Sequence, residues 1–158
     1  MKYTFDWGDG TTSVTGSIIS GTGAIASHTW STAGTYQVKA MATDIKGATS
    51  EWSSSLTVKI AANKPPNIPS KPTGPTSGTS KRSYPYLTSA TDPDRDQVKY
   101  TYDWGDGTTF TTVLVKSGTT ASVSHSWSQA GTYQVRTMAT DSKGGFSGWS
   151  SSLTVKIG

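Results

Sequence analysis

Short runs of alternating apolar and polar residues, separated by glycine-containing turns, recur along the whole chain. Tyr100, Tyr102 and Trp104 fall on one face of an extended segment, and Lys99, Thr101 and Asp103 on the other. Tyr133, Val135, Thr137 and Ala139 share a face, as do Leu153, Val155 and Ile157. A period of two predicts half-buried strands, and no stretch carries a convincing helical period. Gly8-Asp9-Gly10, Ala33-Gly34 and Asp44-Ile45-Lys46-Gly47 punctuate the runs. Asp-Gly between alternating segments predicts a hairpin, because the turn needs positive φ values that Gly accepts and Asp tolerates.

The pattern occurs twice. Lys2–Ile60 and Lys99–Ile157 align without a gap at an offset of 97 residues, and about two-thirds of the paired positions are identical. Tyr3, Phe5 and Trp7 repeat as Tyr100, Tyr102 and Trp104. Tyr36, Val38, Ala40 and Ala42 repeat as Tyr133, Val135, Thr137 and Ala139. Self-similarity of this length means tandem copies of one folding unit. Between the copies, Asn63–Gly78 carries Pro65, Pro66, Pro69, Pro72 and Pro75, which predicts a stiff, extended junction and an edge strand. Ser83–Ala90 reads as a further strand and Thr91–Asp96 as a tight turn. A full unit then holds about seven strands, which predicts an all-β, two-sheet sandwich of immunoglobulin type. The expected boundaries are 1–62 for a partial first unit, 63–78 for the junction and opening strand, and 79–158 for the rest of a complete second unit.

The first copy has no counterpart of residues 63–97, so the chain begins in mid-repeat. A sandwich without these strands exposes sheet edges and half a core. Three readings follow: a piece of a longer surface protein, completion of the first copy by a strand from a neighbouring chain, or docking of 63–97 back onto the first copy. The last two make head-to-tail self-association an expectation.

Composition narrows the function. Six Trp and seven Tyr in a chain low in charge suit an all-β domain with aromatic anchors. There is no cysteine, which excludes disulfides and thiolate chemistry. No stretch approaches the roughly 18 apolar residues of a membrane span. The net charge is +4, and the basic excess lies after residue 62, a dispersed distribution that gives no nucleic-acid footprint. His28 and His125 are equivalent repeat positions beside a Trp and predict structural side chains with satisfied hydrogen bonds. Asp9 and Asp106 predict caps of turn N–H groups. No nucleophile–base set stands out, so the chain reads as non-catalytic. Asp92-Pro93-Asp94-Arg95-Asp96 places carboxylates at alternate positions in a turn, as at the opening of a calcium loop; a solvated acidic turn is the alternative.

Three segments, DWGDGTT, H-x-W-x-x-A-G-T-Y-x-V-x-x-x-A-T-D and L-T-V-K-I, resemble in order and spacing the PKD domain family, whose members are Ig-like sandwiches. Trp104 and Trp127 stand where the family pattern carries other aromatics. The resemblance implies an extracellular or cell-surface location and a structural or adhesion role. The alternative role is that of an accessory module of an extracellular hydrolase that engages polysaccharide or fibrous protein. It also implies calcium ligands at Asp92, Asp94, Asp141 and Asn67, with Asp96 an addition; Arg95, where Gly is common, departs from the pattern. Asp44 matches Asp141, but the first copy lacks the DPDRD turn, so one ion per chain is expected. Trp52 and Trp149 read either as caps on the sandwich end or as contacts for a sugar ring or protein partner. Leu114 lies where the copies diverge most, as expected of a partner-facing loop or edge.

Overall fold

The computed structural model covers Met1–Gly158 and contains eleven strands and no helix. It divides into two compact units, Met1–Ala62 and Asn63–Gly158.

The second unit is a closed sandwich. Its strands are β5 (Ser77–Gly78), β6 (Tyr84–Thr88), β7 (Val98–Asp103), β8 (Thr109–Thr111), β9 (Ala121–His125), β10 (Gly131–Asp141) and β11 (Leu153–Ile157). One sheet has the order β5-β11-β10-β7-β8, and β6 pairs with β9 in the other. The alternation read from sequence sets the layers: Val98, Tyr100, Tyr102, Trp104, Val135, Ala139, Val155 and Ile157 are buried, and Tyr86, Ala90 and Ala121 meet them from the facing sheet. Pro85 sits within β6 without cost to the pairing. Its neighbour Leu87 exchanges both backbone hydrogen bonds with Thr73 at 2.9 Å, on the side away from β9. Backbone direction alternates, so Tyr84, Tyr86 and Thr88 bond β9, and position 85 owes β9 no N–H.

Aromatic rings close one end of this sandwich. Tyr102 stacks on Trp104 at 5.0 Å, and Tyr86 meets Trp104 and Trp127 edge-on at 5.8 and 5.7 Å. Tyr133 packs on Trp127 and donates its hydroxyl to the Gln129 carbonyl at 3.0 Å, the bond of a tyrosine corner. The turn after Trp104 needs glycine twice over. Gly105 has φ +77°, and a Cβ there would lie 2.7 Å from the Gln134 nitrogen.

The first unit contains a single sheet of order β2-β1-β3-β4, built from β1 (Lys2–Asp6), β2 (Thr12–Val14), β3 (Gly34–Thr43) and β4 (Leu56–Ile60). Its registers copy those of β7, β8, β10 and β11: Tyr3 pairs with Ala42 as Tyr100 pairs with Ala139. No strand corresponds to β5 or β6. Residues 24–28, the counterpart of β9, are not a strand, because β9 is held only by β6. Missing cover shows in the side chains: Leu153 is 9% exposed and its counterpart Leu56 is 66% exposed.

Candidate functional site

Two features of the chain have the makings of a site, an acidic turn in the second unit and an open strand edge in the first.

The acidic turn follows β6. Asp92 Oδ1 accepts the Asp94 and Asp96 N–H groups at 2.8 and 3.1 Å, which winds the turn around one carboxylate. Arg95 pays for that winding with a left-handed φ of 64°. The carboxylate oxygens of Asp92, Asp94 and Asp96 lie within 4.8 Å of one another. Lys64 N–H donates to Asp94 Oδ2 at 2.7 Å, and the Lys143 ammonium lies 3.0 Å from Asp96 Oδ2 and is raised above its ordinary pKa by it. Asp92 is 4% exposed and its Oδ2 has no partner. A buried carboxylate oxygen without a donor is costly unless a cation or water meets it, so the donor set fits a hard cation.

The remaining predicted ligands are placed differently. Asp141 Oδ1 accepts the N–H groups of Lys143 and Gly145, both at 2.8 Å, and Oδ2 accepts the Asn63 amide at 2.8 Å. Burial pushes its pKa up, but these donors outweigh it and hold the carboxyl below its ordinary value. Asn67 is not at Asp141. Its side chain donates to the Thr91 hydroxyl at 2.9 Å, and the opening asparagine that meets Asp141 is Asn63. Both asparagines open the unit, and the pairing of this segment with the 91 region decides which one reaches Asp141.

The aromatic candidates lie on the outer sheet surface. The Arg136 guanidinium lies 4.6 Å over the Trp149 ring and pairs with Asp103 at 2.9 Å; Lys39 lies 4.8 Å over Trp52 and 3.5 Å from Asp6. Each Trp is held by a cation on the adjacent long strand, with over a third of its surface exposed. Leu114 is also exposed, between Val113 and Val115, and Val115 pairs with Val98 beyond the sheet proper. Sequence reasoning missed the serines that hold this segment. Ser147 and Ser150 are buried, and their hydroxyls accept the Ala139 and Thr137 N–H groups at 3.0 Å. The spacing of three in S-x-x-S, repeated at Ser50 and Ser53, was the available signal.

The open edge in the first unit runs along Ala24–His28. In the second unit the matching backbone pairs with β6 through Ala121, Val123 and His125. Ala24, Ala26 and His28 make no backbone hydrogen bond within the chain. Beside them the aromatic arrangement is already set. Trp7 and Trp30 meet edge-on at 6.0 Å and 86°, against 6.4 Å and 88° for Trp104 and Trp127. His28 lies on Trp7 and Tyr36 on Trp30, as His125 and Tyr133 do on their partners.

This combination defines a tandem Ig-like module, a two-sheet sandwich in the second unit and its single-sheet counterpart in the first. The PKD domain family profile matches residues 1–60 and 63–157, and the chain belongs to that family. Such domains are non-catalytic modules of extracellular proteins, often attached to hydrolases. Among solved structures the chain is similar to the PKD domain of an M14-like peptidase from Thermoplasmatales archaeon SCGC AB-540-F20. The identity is 41%, the TM-score 0.56, and the match covers 61% of this chain and 98% of that one. It also matches the fibronectin(III)-like modules of CbhA from Clostridium thermocellum, at 20% identity and TM-score 0.47, covering 99% of this chain and 77% of that one. No functionally curated protein matches the chain.

Proposed function

We propose that the chain is a non-catalytic structural or adhesion module of a secreted or cell-surface protein, able to self-assemble by strand exchange between chains. One observation carries this reading. The same sheet face and strand edge that the second unit closes with β5 and β6 stand open in the first, with the edge backbone unpaired and the aromatic slot formed. An unpaired edge beside an apolar face is a template for β-augmentation. Exchange of strands between copies would make the module self-assembling.

Light scattering over a concentration series tests assembly between copies. A mass that rises with concentration supports it, and a strictly monomeric, cooperatively folded chain removes it. Calcium belongs to this reading as a stiffener of the second unit: Asp92, Asp94 and Asp96 would hold the ion, whose charge offsets the crowded carboxylates. Asp141 would brace the turn through Asn63.

A second reading, an accessory module of an extracellular hydrolase, is favoured by the likeness to the archaeal peptidase domain and by the exposed Trp149 surface. Binding of insoluble polysaccharide or collagen by the chain, lost on Trp149→Ala, would support it over assembly.

A further inference from the structure

The outer edge of β8, in the second unit, is apolar where its counterpart in the first unit is not. Two bonds fix which way its backbone faces. Thr112 N–H donates to the Tyr100 carbonyl at 2.9 Å, and Trp104 N–H donates to the Thr108 carbonyl at 3.3 Å. Residues 108, 110 and 112 therefore bond β7, and Thr109 and Thr111 turn their N–H and C=O groups to the open side, where β8 is the last strand of its sheet. Beyond Thr112 the chain bulges: Val98 and Val115 exchange both backbone bonds at 2.8 Å, which sets Val113 and Leu114 opposite Lys99 alone. Phe110, Val113 and Leu114 are 49%, 79% and 41% exposed. The first unit makes the same bulge, with Thr15 bonded to Tyr3 and Ile18 to Met1, and carries Ser13, Gly16 and Ser17 at those positions. The bulge thus has no need of large apolar residues.

We propose that this edge of the second unit pairs with the same edge of a second copy of the chain, antiparallel, about a two-fold axis at Thr111. The pairing goes beyond strand exchange, because each sandwich keeps all its own strands and the first unit takes no part. Three features commit the edge to a copy of itself. The run Thr108–Val115 holds no charge, proline or glycine, and the bulge begins only after Thr112, so β8 itself lacks the devices that keep exposed edges apart. A two-fold antiparallel pair is self-complementary: Thr111 meets Thr111, each Phe110 meets the other copy's Thr112, and the two Phe110 rings stand diagonally, within reach of one another. The ends also match in charge. Asp106 and Lys116 lie five positions from Thr111 on opposite sides, so the acidic end of one run meets the basic end of the other. The first unit has Ile19 in place of Lys116 and cannot make this match.

Pairing of one short strand buries less than the roughly 1,200 Å² of a stable interface, so the dimer is weak and assembles at about 0.1 mM and above. Two-fold pairing closes at two copies, whereas head-to-tail exchange of strands continues.

Sedimentation velocity on the intact chain, from about 10 µM to about 1 mM, tests this. The mass should rise with concentration and level at that of a dimer. Thr111→Pro removes an N–H that faces away from β7, so it should leave melting nearly unchanged and raise the dimer dissociation constant at least about tenfold. Phe110→Ser with Leu114→Ser installs the residue types of the first unit and should weaken the dimer by a similar factor; it decides the matter if the proline variant folds poorly. Lys116→Glu should weaken the dimer about threefold at low salt and less at high salt. A chain that stays monomeric throughout, or a dimer indifferent to both Thr111→Pro and the double serine variant, overturns the proposal. Oligomers that persist in Thr111→Pro and grow beyond two copies would keep strand exchange and remove edge pairing. A dimer lost on Thr111→Pro, with nothing larger formed by the parent chain, would support edge pairing and remove strand exchange.

Discussion

The His125 imidazole lies flat on the Trp104 indole, ring centroids 4.5 Å apart and planes 4° from parallel. Its Nε2 meets Asp106 Oδ2 at 2.8 Å, while Oδ1 of the same carboxylate accepts the Thr108 N–H and hydroxyl at 2.9 and 2.6 Å. The first unit repeats the arrangement with His28, Trp7, Asp9 and Thr11. The histidine thus ties the turn to the aromatic end of the sheet.

Acid stability follows from this pair. The Thr11 hydroxyl, and then His28, bring Asp9 down from 3.8 to about 2. For Asp106, burial pushes the pKa up, but Thr108 and His125 outweigh it and the net shift is downward. A carboxyl depressed in the folded state stabilises fully above its unfolded value, and that contribution is lost as pH falls through the folded one. Melting temperatures should therefore drop between pH 3.8 and about 2. The double variant Asp9→Asn, Asp106→Asn should melt lower at neutral pH and show a flatter acid limb. A limb of unchanged steepness would mean other carboxylates control it.

Ser150 and Ser53 make the same bond in different surroundings. Each hydroxyl accepts an N–H of the long strand at 3.0 Å and donates to the next residue's carbonyl, but Ser150 is buried and Ser53 is exposed. Ser150→Ala leaves the Thr137 N–H without a partner in the core and should cost about 1–3 kcal/mol. At Ser53, water replaces the lost partner and the cost should stay below about 1 kcal/mol. Hydrogen exchange at the Thr137 and Ala40 amides reads the two effects separately, and equal losses would contradict the burial argument.

Much of this organisation is legible in the sequence, for a physical reason. Strand alternation, the G-D-G turns and the tyrosine corners are local patterns, and local sterics decide them. The stretch 24–28 is different: its near-copy 121–125 is a strand and it is not, because only the presence of Tyr84–Thr88 decides the pairing. Asn63 and Asn67 likewise cannot be ranked by residue type, since a register set near Thr91 chooses between them. The serine bonds escaped because W-S-S-S has no period of two; each serine N–H donates to a carbonyl of the long strand, while its hydroxyl takes the acceptor's part that a backbone carbonyl plays in a ladder.

Calcium, if held by the acidic turn, has a measurable signature. The ion would engage the unpartnered Asp92 Oδ2 and compete with Lys143 for Asp96. Millimolar free calcium at about a hundred times the dissociation constant would add about 2.7 kcal/mol to the second unit and raise its melting temperature. Asp92→Asn should abolish the rise, and Asp44→Asn, in the first unit, should leave it intact. Lys143→Ala should strengthen calcium binding by removing the competing ammonium. A melting temperature indifferent to calcium in the parent chain would rule the site out.

Arg136 and Lys39 test what holds the exposed tryptophans. Arg136 reaches Asp103 with both Nε and a terminal nitrogen, at 3.0 and 2.9 Å, while its plane covers Trp149 at 4.6 Å. Lys39 makes one 3.5 Å pair with Asp6 and lies 4.8 Å from Trp52. A planar fork can hold a carboxylate and an aromatic face together; an ammonium is a point charge on a flexible stem. Because Arg136 is partly solvated, its ion pair is screened, and Arg136→Lys should cost only about 0.5–1 kcal/mol. The clearer readout is mobility. The Trp149 indole should gain side-chain motion by NMR relaxation in Arg136→Lys, and Trp52 should lose motion in Lys39→Arg. If Trp149 is a ligand platform, Arg136→Lys should also weaken polysaccharide binding, since a ring that moves must be ordered again on contact. Unchanged Trp149 relaxation in Arg136→Lys would show that the flanking serines, not the guanidinium, fix the ring.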